Sequence, residues 1–200
     1  MDSRTRVPLI LITCCQLLVG SCQSLKKNAR FARCEFRITK VSSLEIGGIQ
    51  TLDKNSLKDF NFQQGLILAN QIRQKKLMAD VTLNIQVKNP NDLSASLEGF
   101  QYVIVIDGKE VLNKEITSTV DIGGNSQAIF ALRTRFDLVK AASDTGYDTL
   151  LRMVLGLVDN RQQPVKFDMY FRPYLKVLNK RVKYPDFIKL SSVYQGGSFE

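Results

Sequence analysis

Four thiols, no histidine and one close pair of aspartates set the chemistry open to this chain. The thiols are Cys14, Cys15, Cys22 and Cys34. A thiol can act as a nucleophile, a metal ligand, half of a disulfide or an acyl acceptor, and its surroundings decide which. With no histidine among 200 residues, Ser-His-Asp and Cys-His catalysis and histidine-ligated metal sites are excluded. Asp144 and Asp148 stand four residues apart, on one face if the segment is helical, where they could hold a cation. A helix N-cap and a first-turn acid would account for the same pair without metal. Basic side chains gather in "KVLNKRVK" (Lys176, Lys180, Arg181, Lys183) and in "RQKK" (Arg73, Lys75, Lys76). Either cluster could lie against anionic headgroups, and either could serve only to keep the surface wet.

Three of the four thiols crowd into the first 22 residues, so the element that positions them comes first. Arg4 and Arg6 form a small positive head, followed by "VPLILITCCQLLV", thirteen apolar-rich residues from Val7 to Val19. A membrane-spanning helix needs about 20 such residues, so this run predicts the apolar region of a secretory signal. It ends in "LVGSC", which resembles the lipobox of bacterial lipoproteins, with Ser21 before the cut and Cys22 after it. In that chemistry the sulfur takes diacylglycerol before cleavage, and small residues let the chain enter a narrow peptidase cleft. Cys14 and Cys15 would leave with residues 1–21, and Cys22 would carry lipid.

Cys34 then remains alone, and one thiol makes no internal disulfide, so the exported domain must be held by its core. The alternation Cys34, Phe36, Ile38 places that thiol on an apolar strand face as a small buried hydrophobe. The whole chain carries 28 basic and 19 acidic residues, a net +9. Losing Arg4, Arg6 and Asp2 with the signal leaves 26 against 18, a net +8, so the leader does not explain the basicity. The tether "QSLKKNARFAR" is either a soluble linker or a second contact with an anionic bilayer, where each charge gains about 1 kcal/mol.

Most of the remainder reads as strand. In "ADVTLNIQVKN" the residues Val81, Leu83, Ile85 and Val87 alternate with polar ones, and period two means one buried and one wet face. "NPND" breaks that strand. Asp107-Gly108 between apolar runs predicts a hairpin with a type I′ turn. After Gly123-Gly124, "AIFALRTRFDL" puts Phe130, Leu132, Thr134 and Phe136 on one side and Arg133 and Arg135 on the other. "VKFDMYF" does the same with Val165, Phe167, Met169 and Phe171. Two stretches turn to helix. Over 144–158 the apolar residues Tyr147, Leu150, Leu151, Val154, Leu155 and Val158 follow helical spacing, with Ser143 or Asp144 as N-cap. Near 62–74 the pattern is weaker because Gly65 sits inside it. The fold class expected is mainly β, an immunoglobulin- or fibronectin-III-like antiparallel β-sandwich with one or two helices.

"VTLNIQVKNPNDLSASLEGFQYVIVIDGKEV" resembles the core of the late embryogenesis abundant group 2 family, or water-stress and hypersensitive-response (WHy) domain. Its turn residues are matched by Asn89, Pro90 and Asn91 and by Asp107 and Gly108, and the loop and strand that follow by 123–138. The closing "RPYLKVLNKRVKYPDFIKL" resembles the end of bacterial lipoproteins that carry this domain. The resemblance covers roughly 34–190 and implies a sandwich in a stress-tolerance family without known catalysis. The expected organisation is a signal peptide (1–21), a lipidated tether (22–33), the domain (34–190) and a tail (191–200).

These readings converge on a lipid-anchored, non-catalytic envelope protein that protects or binds, with no cofactor, no metal and no nucleic acid. Its expected partner is a membrane, reached through the anchor, together with anionic lipids or envelope polymers. A structural subunit of a larger envelope assembly, docked through the 144–158 helix, and an enzyme built on acidic groups are the competing readings. Gln23 stands where an aspartate retains many lipoproteins at the inner membrane, which favours the periplasmic face of an outer membrane.

Overall fold

The computed structural model describes residues 33–54, 56–143, 154, 157, 165–177, 180–195 and 198–199. Two antiparallel sheets face each other. The first has the order β2-β1-β3-β8, from Ile49–Gln50 (β2), Glu35–Ile46 (β1), Met78–Asn89 (β3) and Ser126–Asp137 (β8). The second runs β12-β11-β9-β5-β6, from Ser198–Phe199 (β12), Ile188–Gln195 (β11), Val165–Val177 (β9), Phe100–Ile106 (β5) and Lys109–Ile116 (β6). Lys180–Lys183 (β10) folds back on β9, and Ala95–Leu97 (β4) pairs with Val120–Ile122 (β7) in a small clasp. The mainly β antiparallel sandwich expected from the period-two runs is the observed architecture.

Alternation decides which face each strand buries. Leu83 of β3 lies between Val41 of β1 and Leu132 of β8, and all three side chains point into the core. Opposite them, Met169 of β9 is flanked by Ile104 of β5 and Leu190 of β11, also inward. Burial of each such side chain contributes about 1.5–3 kcal/mol. Rings fill one end of the core: Phe100 lies 4.8 Å from Phe171 and 5.9 Å from Phe130, centroid to centroid. The Tyr102 hydroxyl crosses between the sheets and donates to Thr134 Oγ1 at 3.1 Å, satisfying two polar groups inside the core. Burial pushes the Tyr102 pKa up.

The helices differ in detail from the sequence expectation. Residues 62–73 form helix α1 (Phe62–Arg73) despite Gly65. A capping box starts it: Asn61 Oδ1 accepts from Gln64 N at 2.9 Å, and Asn61 N donates to Gln64 Oε1 at 3.1 Å. At the other end β8 stops at Asp137, one residue before the expected Leu138. The Asp137 carboxylate accepts from Val139 N and Lys140 N and so opens a short helix α2 (Leu138–Ala141). It also accepts from Leu77 N at 3.2 Å, which ties the start of β3 to the end of β8. Of the helix expected over 144–158, only Val154 and Leu157 are described; both are helical and buried. Leu157 is not one of the apolar stripe residues expected from the sequence, yet it is buried. The expected signal, Ser21, Cys22 and the tether through residue 32 lie outside the described residues, as do Asp144 and Asp148.

Candidate functional site

The residues singled out by motif fall in three places. Asn89 closes β3 and is 1% exposed. Its Nδ2 donates to the carbonyls of Leu93 (3.0 Å), Ile122 (3.2 Å) and Gly123 (2.9 Å). Its Oδ1 accepts from Asn91 N at 3.1 Å, an Asx turn across Pro90, and from Asn91 Nδ2 at 2.7 Å. The Cys34 thiol also donates to that oxygen at 3.8 Å. One amide therefore fastens four segments: the start of β1, the turn between β3 and β4, the end of β7 and the loop before β8. Burial holds the Cys34 pKa above its ordinary value, which keeps the thiol neutral and unreactive. The turn in turn docks on the glycine loop. Asn125 N donates to Asn91 O at 2.8 Å, and a Cβ on Gly124 would stand 2.1 Å from Asp92 O.

Asp107 and Gly108 make the two-residue β5–β6 turn, both with positive φ (48° and 79°), as a type I′ turn requires. The turn is also anchored sideways, since Asp107 N donates to Lys166 O and Lys166 N donates to Asp107 Oδ1, each at 2.9 Å. These five motif residues are therefore fasteners within the sandwich.

The basic cluster lies on the β9–β10 hairpin. Lys176 pairs in register with Arg181, and Lys180 with Val177. Arg181 and Lys183 are exposed but tied to neighbours. Lys183 Nζ contacts Glu115 Oε1 at 2.7 Å, and Arg181 Nη1 donates to Thr117 Oγ1 at 3.0 Å. Both cations stand over the Tyr174 ring, at 4.7 Å for Arg181 and 5.5 Å for Lys183. The Lys183 ammonium holds the Glu115 carboxyl below its ordinary pKa, and Glu115 raises that of Lys183. With Lys176 and Lys180 counted, four bases and one acid leave an excess of three positive charges at this hairpin.

Sequence reasoning missed a buried carboxylate. Asp168 points to the outward face of the second sheet, opposite the side that carries Phe167 and Met169, yet it is 5% exposed. Ser191 Oγ donates to its Oδ1 at 2.7 Å, while Lys189 Nζ and Lys166 Nζ lie 3.4 and 3.8 Å from its Oδ2. Burial alone would raise its pKa. The hydroxyl and the two ammonium groups outweigh that and hold it below the usual range. An acid inside the apolar run "VKFDMYF" was the available signal. Its partners lie 23 residues away and at i−2, so only folding reveals the cluster. The carboxylate is fully engaged, which suits it to pinning β9 to β11.

A cleft of about 570 Å³ opens between the edge strands β6 and β8, lined by Glu45, Asp80, Lys114, Arg133 and Arg135. Asp80 and Arg135, opposite each other on β3 and β8, pair along one wall, and Lys114 Nζ reaches across from β6 to donate to Arg135 O at 3.1 Å. That inward-leaning lysine occupies a free carbonyl of an edge strand and blocks strand addition.

No family model and no curated protein matches the chain. Among solved structures it is similar to a protein from Archaeoglobus fulgidus, with 10% identity, 78% of this chain and 96% of that chain covered, and a TM-score of 0.39. It is also similar to AT1g01470 from Arabidopsis thaliana, with 9% identity, 79% and 80% covered, and a TM-score of 0.41. A further similarity, again at 9% identity, is to At2g46140.1, reported as a candidate late embryogenesis abundant (LEA) protein, with 100% and 94% covered and a TM-score of 0.40.

Proposed function

We propose that this protein is a lipid-anchored, non-catalytic component of a bacterial cell envelope. Its β-sandwich is of the late embryogenesis abundant group 2 type and serves protection or binding. The observation that carries the reading is the apolar run ending in "LVGSC", set twelve residues before the Cys34 at the mouth of β1. The sulfur of Cys22 is the acyl acceptor, and the tether gives the folded domain reach from the bilayer. The sandwich type is supported by the role of the Asn-Pro-Asn turn, whose first residue fastens four segments through one buried amide. A turn of that kind belongs to a scaffold.

Burying acyl chains contributes about 0.8 kcal/mol per methylene, so two or more chains make attachment effectively permanent. Cys22→Ser should abolish incorporation of labelled palmitate and leave the leader uncleaved. Labelled palmitate still entering the Cys22→Ser protein would show that the thiol is not the acceptor. Membrane fractionation with protease treatment of intact cells then tests the periplasmic, outer-membrane assignment.

A further inference from the structure

Helix α1 turns part of its apolar surface outward. Leu68 and Ile72 pack against the core, Leu68 reaches Gly47, and Gln71 Nε2 donates to Gly47 O at 3.0 Å. The opposite stripe is Phe62, Leu66, Ala69 and Arg73, at helical spacing. Phe62 is 81% exposed, Leu66 54%, and the flanking Ile67 45%. Isolated exposed apolar residues are ordinary, but Phe62 and Leu66, one turn apart, form an apolar strip, with Ile67 about 100° round the helix from Leu66.

The charge around that strip has one sign. From Phe60 to Ala79 the chain has no acidic residue, while Arg73, Lys75 and Lys76 cluster at the C-terminal end of α1. The termination is itself informative. Lys76 N donates to Gln71 O at 3.0 Å and Lys75 N to Ile72 O at 2.9 Å, a Schellman ending with Lys75 at φ 56°. Glycine occupies that left-handed position without strain, yet here a cation stands there.

We propose that α1 is a membrane-surface helix. Phe62, Leu66 and Ile67 enter the boundary between headgroups and acyl chains of an anionic phospholipid bilayer, and Arg73, Lys75 and Lys76 contact its phosphates. This goes beyond the anchor at Cys22 and does not depend on it. The position of the helix also limits how the domain can sit. β1 and β3 are antiparallel, so the tether enters beside Asn89 while α1 lies by the opposite end, near Ile46 and Met78. Twelve strand residues span about 40 Å, and a tether of similar length reaches about as far when extended. Anchor and helix can therefore hold the bilayer together, with the sandwich lying along it or standing on its α1 end and the tether running back beside it.

The chain contains no tryptophan, so Phe62→Trp introduces a single reporter at an exposed site, and Ile129→Trp on β8 (61% exposed) is its counterpart away from the helix. Each full-length variant is reconstituted into phosphatidylglycerol vesicles with brominated acyl chains. An interfacial helix sits about 5–10 Å into the headgroup boundary, so the Phe62→Trp emission should shift to the blue and be quenched about twofold or more, with Ile129→Trp unchanged. Changing Arg73, Lys75 and Lys76 together to glutamine should lower the bound-to-free ratio of the helix about a hundredfold. Quenching should then fall to the Ile129→Trp level, and about 1 M salt should do the same. The proposal is overturned if Phe62→Trp is quenched no more than Ile129→Trp, or equally in phosphatidylcholine vesicles. It is also overturned if the emission shifts with protein concentration in the absence of lipid, since a second copy then covers the face. Palmitate labelling at Cys22 and quenching at position 62 are separate readouts, so failure of one leaves the other legible.

Discussion

Asn89→Ala tests whether the Asn-Pro-Asn turn fastens the sandwich. The substitution removes three donated bonds, to Leu93 O, Ile122 O and Gly123 O, and the acceptor for Asn91 N and the Cys34 thiol. Water can reach the carbonyls at the loop rim, whereas Ile122 O is buried and would be left without its partner. Counting about 1 kcal/mol for each lost bond, and more for the stranded carbonyl, the expected loss is about 3–5 kcal/mol. That is a large share of the roughly 5–15 kcal/mol that holds a domain of this kind. Urea unfolding should show a lower midpoint with an unchanged slope. Asn89→Asp sharpens the test because it keeps the shape and the acceptor while facing three carbonyl oxygens with a carboxylate. Such a group has its folded-state pKa raised, so the acid form is favoured in the fold. The variant should therefore be least destabilised near pH 4 and lose further stability as the pH rises through the raised pKa. A loss under about 1 kcal/mol for Asn89→Ala, or a pH-independent Asn89→Asp, would refute the fastening role.

Gly99→Ala should be much more disruptive than Gly108→Ala, as read by thermal unfolding. A Cβ at Gly99 would stand 2.3 Å from Ile116 O at φ 116°, whereas at Gly108 (φ 79°) it meets nothing and costs about 1 kcal/mol of strain. Tyr102→Phe and Thr134→Val should each cost about 1 kcal/mol, with the double variant costing less than their sum, because they share one bond. Asp168 has a depressed folded-state pKa, so its stabilisation is present above the unfolded value near 4 and lost as the pH falls through the folded one. Asp168→Asn should therefore flatten the acid limb of a stability-against-pH curve, and Ser191→Ala should move that limb to higher pH.

What the sequence determined by itself follows from short-range physics. Period-two alternation placed Leu83 and Ile85 in the core and Arg133 and Arg135 outside, because a strand has only two faces. Asp107-Gly108 announced its hairpin because few residue pairs tolerate two positive φ values. The lipobox likeness is likewise a local pattern. Asn61 and Gln64 offered a capping-box signal that would have strengthened α1 against Gly65.

Tertiary structure decided what depends on distant partners. Asp137 could continue β8 or cap α2, and Leu77 N arriving from 60 residues away helped settle it. Asp168 sat on the side of its strand that alternation assigned to water, but Ser191 and two lysines enclosed it. Lys183 and Arg181 counted as free positive charge until folding brought Glu115, Thr117 and Tyr174 beneath them. The apolar residues of α1 looked alike in sequence, and only packing against the core divided Leu68 and Ile72 from Phe62 and Leu66. Alternation and turn chemistry act within a few residues, whereas burial and charge pairing are set by contacts that the chain makes only once both sheets have closed.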